Sequence, residues 1–295
     1  MKKLIYISCL LSFALSSCDL DDFMFNASQD IREYKLDDYE GEVEIEVGPA
    51  YDIDEDKVYL FKLPKTTERD FDLWAVYIGD TSHIRTDTVI VYCHGNRDHM
   101  DFYWPRAKLL ANTGGKNRYG VLMMDYQGFG LSGGESSEIG MREDVEEALA
   151  WLSSKGLRDA RTIIYGFSLG GNPAVYHAAN NTTLNPSILI LESTFASLEV
   201  LAQDGSGLAI PGEMLANAKY DLAEQIKSVY QPFLHFHGVD DSFLPMKSHG
   251  DVIHKNYAGT RSEYIQVEGA EHGDLPYVMG YEAYLESIFE FISGS

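Results

Sequence analysis

The sequence is short of cysteine and of positive charge, and each shortage excludes something. Only three cysteines occur in 295 residues, Cys9, Cys18 and Cys93. So few cannot form the disulfide framework of a small stapled domain. Lys and Arg together number 23 against 46 Asp and Glu, a formal charge of -23. Such an excess of carboxylate repels phosphate backbones and anionic headgroups, so nucleic acid is not an expected partner. The blander reading of the acidity is that it keeps the chain soluble. Internal repeats and low-complexity blocks are also missing, which excludes repeat arrays. What remains is 45% hydrophobic and 12% aromatic, enough for a sizeable core in one large domain or two small ones.

The N-terminus reads as an export signal. "MKKLIYISCLLSFALSSC" places Lys2 and Lys3 before an apolar run from Leu4 to Leu15, then ends in small residues. That run is too short to span a membrane as a mature helix. The ending "LSSC" resembles a bacterial lipobox, a Leu followed by two small residues and Cys. The resemblance implies cleavage before Cys18 and acylation of Cys18. Residues 1–17 are then a lipoprotein signal peptide, 18–40 an acidic tether, and the chain belongs to a bacterial cell envelope. On this reading Cys9 is lost and Cys18 carries lipid. Cys93 remains alone in an apolar strand, where a free Cys usually packs as a small core residue.

"EVEIEV" (Glu42–Val47), "KVYLFKL" and "FDLWAVYIG" alternate as strands do and predict an antiparallel start to a sheet. From residue 88 the pattern changes. Short apolar runs, "TVIVYC", "YGVLMMDY", "RTIIYGF", "SILILES", "QPFLHFHG" and "EYIQVEG", alternate with amphipathic stretches such as "MREDVEEALAWLSSKG". Strands alternating with helices predict a mostly parallel sheet covered on both faces, an α/β domain over 41–295. A short helical segment is expected at about 196–230.

The chemistry is carried by three places in this pattern. "IIYGFSLGGNPAVYHAA" holds Gly166-Phe167-Ser168-Leu169-Gly170 between a β-branched run and a helix-like run. G-x-S-x-G alone is a weak pattern, and a solvated Ser in a tight turn would also fit it. The strand–turn–helix context is that of a nucleophile elbow, where a strained turn projects the hydroxyl above the sheet. A Ser hydroxyl needs a base, and the base needs an orienting acid. "VEGAEHGDL" puts His272 after the last predicted strand, and "FHGVDDSFLP" puts Asp240 and Asp241 after the strand before it. Loop acids and loop histidines are usually solvated. Here they follow in the order Ser168, acid, His272.

With these pieces the chain resembles the serine hydrolases of the α/β-hydrolase superfamily, in their small membrane-associated or lipid-anchored branch without a large lid. "HGN" (His94–Asn96), "DYQGFGLSGGESSE", "YGFSLGG", "ESTFAS", "KYDLAEQI", "HGVDDSFLP" and "GAEH" match in order across about residues 88–290. The first 87 residues match less well. The resemblance implies the α/β-hydrolase fold. The family pattern H-G-x-x-D-x-x-V/I-P, aligned on His237, Gly238 and Pro245, selects Asp241 over Asp240, with Leu244 in place of the β-branched residue. It also implies an oxyanion hole from the backbone N–H groups of Asn96 and Leu169.

Two decoys weaken on inspection. Gly128 to Gly133 spells G-x-G-x-x-G after a strand, but a polar loop follows and the helix is expected only near Met141. A dinucleotide loop opens directly into its helix, with an acid about twenty residues on, where this chain has Ser153. These glycines are read as a loop beside the hydrolase pocket. "HGNRDH" (His94–His99) comes within one residue of a metallohydrolase pattern, H-x-H-x-D-H, but Asn96 stands where a His is needed. Arg97, Asp98 and His99 are read instead as the pocket rim or a solvated loop.

The sequence therefore predicts a serine hydrolase that cleaves carboxylic esters through an acyl-enzyme, with no metal and no cofactor. Its partner would be a small-molecule or glycan ester, its membrane contact the N-terminal lipid, and its form a monomer. A peptidase with the same triad and a non-catalytic binding lipoprotein of the same fold are the alternatives.

Overall fold

A computed structural model of the protein describes residues 24–67, 69–204 and 220–294. The expected signal peptide, Cys18 and residues 205–219 of the helical segment expected at about 196–230 lie outside the described residues. No helix among the described residues is long and apolar enough to cross a membrane.

Among the described residues ten strands occur, in chain order: β1 (Asn26–Ala27), β2 (Val58–Lys62), β3 (Trp74–Ile78), β4 (Val89–Cys93), β5 (Arg97–Asp98), β6 (Gly120–Met124), β7 (Thr162–Phe167), β8 (Ile188–Glu192), β9 (Phe233–Gly238) and β10 (Ser262–Val267). The main sheet has eight of them, in the order β10-β9-β8-β7-β4-β6-β3-β2. From β6 to β10 every neighbour is parallel, while β3 runs antiparallel to β6 and β2 antiparallel to β3. This is the mostly parallel sheet with an antiparallel beginning that the sequence predicts.

The α-helices among the described residues are α1 (Trp104–Ala111), α2 (Glu138–Ser154), α3 (Gly171–Ala179), α4 (Leu198–Gln203), α5 (Leu222–Gln225), α6 (Gly250–Asn256), α7 (Leu275–Met279) and α8 (Tyr281–Ser293). They cover both faces. Strand alternation divides the core accordingly. Val89, Val91 and Cys93 of β4 face one cluster with Val145 and Leu149 of α2 and Val175 of α3. Ile90 and Tyr92 face the other, with Ala107 and Leu110 of α1 and Tyr284 and Ile288 of α8. Each fully buried aliphatic side chain of this kind contributes about 1.5–3 kcal/mol. Burial pushes the Cys93 thiol well up from its ordinary pKa.

The topology locates the crevice. β4 lies between β6 and β7, so the chain leaves β4 to one side and crosses back to reach β7 on the other. Loops at the carboxyl ends of β4 and β7 therefore diverge, and a cleft opens between them.

Three expectations differ from what is observed. Residues 42–47 form turn and coil rather than a strand. Their alternation has another cause: Glu42 is drawn in by a buried Arg and Ile45 packs in the second core cluster. Helix α2 begins at Glu138, earlier than Met141, because Ser137 caps it by accepting from the Gly140 amide at 3.0 Å. And the acidic stretch read as a tether over 18–40 is packed on the domain from Met24 onward. Met24 is buried, Phe25 meets Phe129 edge-on, and β1 pairs in parallel with β5. Its apolar anchors outweigh its charge.

Candidate active site

Ser168 stands at the end of β7, one turn before α3. Its φ is +51°, in the left-handed region that a non-Gly residue occupies only under constraint. The constraint is the fit of the turn. A Cβ on Gly166 would lie 2.6 Å from the Gly170 carbonyl oxygen, and one on Gly170 would lie 2.0 Å from the Cys93 carbonyl oxygen. Both glycines of the pattern are thus required by space. The chain can turn this sharply only because β7, the turn and the end of β4 touch backbone to backbone.

The partners arrive from the two loops that the sequence selects. His272 Nε2 lies 2.9 Å from Ser168 Oγ, and its Nδ1 lies 2.9 Å from Asp241 Oδ2. Asp241 Oδ1 accepts from the amides of Phe243 at 3.0 Å and Leu244 at 2.7 Å. The side chain is thereby oriented with its second oxygen toward His272. Burial alone would raise the Asp241 carboxyl, but the hydrogen bond and charge of His272, with the Leu244 amide, outweigh it and hold the group below the ordinary carboxylate range. An ionised Asp241 fixes the proton on Nδ1 and leaves Nε2 as an acceptor. Asp240 is a different case: it is exposed, and its Oδ2 accepts from the Gly269 amide at 3.1 Å.

The same turn is held from behind. His237 Nε2 donates to the Leu244 carbonyl at 2.9 Å and lies 3.6 Å from Asp241 Oδ2. Burial pushes the His237 pKa down, so the ring is neutral and serves as a spacer. Phe167 and Phe243 flank the His272 ring at centroid distances of 5.5 and 4.9 Å.

Ser168 and His272 open into a cavity of about 460 Å³. Its wall includes Asn26, Asn96, Phe102, Tyr103, Phe167 and Phe243, with Glu42, Glu44 and Arg97 as charged groups. Asn96 lies on this cavity, and Leu169 is the buried residue directly after Ser168. Gly95 has no unusual φ; its need is again space, since a Cβ would come within 2.9 Å of Tyr103 Oη.

The rim residues separate. Arg97 lines the cavity, its guanidinium 5.3 Å from the Phe102 ring centroid. Asp98 is occupied by backbone pairing with β1. His99 is buried between Tyr34 and Tyr39, faces Asp101, and lines a separate cavity of about 490 Å³. His94 is buried too, its Nε2 3.3 Å from Asp125 Oδ1 and its ring stacked on Tyr103. In the glycine loop after β6, Gly128 lines another cavity, with Phe25 and Phe71, and not the Ser168 cavity.

Sequence reasoning missed the buried cation under the site. Arg106 of α1 is fully buried. It pairs with Glu192 at the end of β8 and with Glu42 at 3.0 Å, and its Nη2 donates to the Gly273 carbonyl at 3.1 Å. Its guanidinium lies 4.1 Å from the centroid of Phe167. Arg106 therefore joins the residue before Ser168 to the residue after His272. Tyr165 and Tyr284 donate to the Glu192 carboxylate. The available signal was an acid closing the otherwise apolar strand "ILILE".

The comparisons with known proteins agree with this architecture. Residues 84–211 match the family model described as serine aminopeptidase, S33. A Mycobacterium tuberculosis (strain H37Rv) protein named as uncharacterized is 31% identical over 206 residues, 69% of this chain and 69% of that one. Among solved structures, a Pyrococcus furiosus esterase superposes with a TM-score of 0.67 at 16% identity, covering 92% of this chain and 97% of the esterase. A puromycin-hydrolyzing peptidase of Mycobacterium tuberculosis superposes with a TM-score of 0.62 at 16% identity, over 84% of this chain and 40% of that one. With the family-model match, the identity to the first relative and the shared fold, the chain belongs to the α/β-hydrolase superfamily, as one of its serine hydrolases.

Proposed function

We propose that this hydrolase is a lipid-anchored carboxylic ester hydrolase acting through Ser168, His272 and Asp241. The observation that carries the proposal is the unbroken hydrogen-bond chain from Ser168 Oγ through His272 to Asp241, at the floor of a partly apolar cavity. In this reading His272 Nε2 removes the Ser168 proton as Oγ attacks the ester carbonyl. The negative charge passes to the carbonyl oxygen, which accepts from the amides of Asn96 and Leu169. The imidazolium, stabilised by Asp241, then protonates the departing alkoxide, leaving an acyl-serine. Water, deprotonated by His272, releases the acid and restores Ser168. The charge-stabilising amides contribute a few kcal/mol each in such sites.

Cys18 carries the lipid in this proposal, and the enzyme acts in a bacterial envelope on a small-molecule or glycan ester. Substitution Ser168→Ala should abolish p-nitrophenyl ester turnover with the melting temperature retained. Turnover kept by that variant would overturn the assignment. A second reading, amide hydrolysis by the same residues, is favoured by the aminopeptidase description of the matching family model. A matched ester and anilide of one acyl group separates the two: the proposal expects the ester to be turned over far faster.

A further inference from the structure

The oxyanion loop does not hold itself in place. Residues 94–98 leave the sheet after β4, and Asp98 sits at φ +51°, a left-handed state that Asp adopts more readily than most residues and that neighbouring contacts fix in place. Part of the hold comes from within the domain, where Tyr103 Oη accepts from the Arg97 amide at 2.9 Å and Tyr126 Oη donates to the His94 carbonyl at 3.1 Å. The rest comes from residues 24–36, a segment outside the family-matched region of 84–211. The Asn26 amide donates to Asn96 Oδ1 at 2.8 Å. Asn26 and Ala27 pair in parallel with Arg97 and Asp98, and the Ser28 amide donates to the Asp98 carbonyl at 3.0 Å.

The segment is in turn fastened to other parts of the domain. The Gly130 amide donates to the Ser28 carbonyl at 2.8 Å, and Gln29 Nε2 donates to the Ser132 carbonyl at 2.9 Å. Tyr34 Oη donates to Asp125 Oδ2 at 2.7 Å and accepts from the Leu131 amide at 2.9 Å. Asp101 accepts from the amides of Lys35 and Leu36 at 2.8 and 2.9 Å. A fastened strap thus runs alongside the loop and bonds to it at Asn96 and Asp98.

We propose that the strap formed by residues 24–36 positions the Asn96 backbone amide for the reacting oxygen, chiefly through the bond from the Asn26 amide to the Asn96 side chain. This rests on the reading of Asn96 as an oxyanion donor. Fixing the side chain of Asn96 limits rotation of its own peptide unit, and so fixes where its N–H is aimed. An amide aimed before the substrate arrives costs no reorganisation in the transition state. The strap acts on turnover more than on substrate binding, because the charge that the amide serves develops only during reaction. Asn26 and Asn96 are positioning residues in this sense, and Asn26 also forms part of the cavity wall.

The test uses the full chain with a p-nitrophenyl ester, each variant normalised to the fraction of Ser168 labelled by a fluorophosphonate. Asn96→Ala removes the acceptor and Asn26→Pro removes the donor N–H; both leave Ser168, His272 and Asp241 in place. Each should lower kcat by about tenfold, a part of what loss of a whole donor costs, with KM within about twofold. The inhibition constant of a trifluoromethyl ketone, whose hemiketal oxygen occupies the same donors, should weaken in parallel with kcat/KM. The double variant should be no worse than the poorer single one, since both changes break one bond. Asn26→Ala, which keeps the N–H, should lose less than Asn26→Pro. Losses that multiply in the double variant, or a rise in KM with kcat retained, would overturn the proposal. So would wild-type turnover in Asn96→Ala while Ser168→Ala is inactive, whereas an active Ser168→Ala would instead overturn the catalytic reading beneath it.

Discussion

Asp241→Asn is the substitution whose consequence the geometry specifies most completely. Asp241 Oδ1 accepts from two backbone amides, those of Phe243 and Leu244, while Oδ2 faces His272 Nδ1. An Asn side chain keeps its carbonyl oxygen against the two amides, because its NH2 group has nothing to donate to there. The NH2 is therefore turned toward His272 Nδ1. That nitrogen has to become the acceptor, and the ring proton moves to Nε2, which then donates to Ser168 Oγ. The base is in the wrong tautomer. In a triad this costs about 10⁴ in kcat, roughly 5 kcal/mol of transition-state stabilisation. Both backbone bonds survive, so the melting temperature should change little. The assay is steady-state turnover of p-nitrophenyl acetate at neutral pH beside a thermal melt, with Asp240→Asn as the comparison, expected within about twofold of wild type. A kcat for Asp241→Asn within tenfold of wild type, in a folded protein, would refute the reasoning.

Three further outcomes follow from other parts of the fold. Gly170→Ala places a Cβ 2.0 Å from the Cys93 carbonyl oxygen; the elbow has to shift, at a cost of about 1–3 kcal/mol or more, read by urea denaturation beside loss of turnover. Arg106→Met strands the carboxylates of Glu42 and Glu192 in a buried site and should cost about 3–5 kcal/mol, whereas Arg106→Met combined with Glu42→Gln should recover part of it. Burial pushes the Asp144 carboxyl up to about 8, so its contribution is full below the unfolded carboxylate value and is lost as pH rises through about 8. Asp144→Asn, which can still accept from the Gln127 amide, should therefore flatten the fall in stability between pH 5 and 9; an unchanged slope in urea melts would contradict this.

The site was legible in the sequence to the extent that it depends on strand ends. β4 and β7 are short, nearly continuous apolar runs and β9 is buried throughout, as parallel strands inside a sheet have to be, while β10 is a partly exposed edge strand of mixed residues. Their ends placed Ser168, Asp241 and His272 in the loops where the structure has them, and the Pro245 register separated Asp241 from Asp240. The failures occur where tertiary contacts override local pattern. Alternation over Glu42–Val47 predicts a strand, but the alternation reflects Arg106 drawing in Glu42 and the core drawing in Ile45. The strap was hidden because acidic residues surround its anchors, Met24, Phe25 and Tyr34, so that its composition resembles a tether. His99 was placed near the pocket on residue type alone. The structure puts it against a different cavity.

The most direct test is to trap the covalent intermediate. Wild-type protein mixed with p-nitrophenyl acetate and quenched in acid within the first turnovers should carry one acetyl group, mapped by peptide mass spectrometry to Ser168. His272→Ala under the same conditions should carry none. Acetyl at Ser168 in wild type alone, with a stoichiometric burst of p-nitrophenol, is the predicted result. Turnover of the ester with an unmodified Ser168, or equal labelling when His272 is absent, would contradict the account.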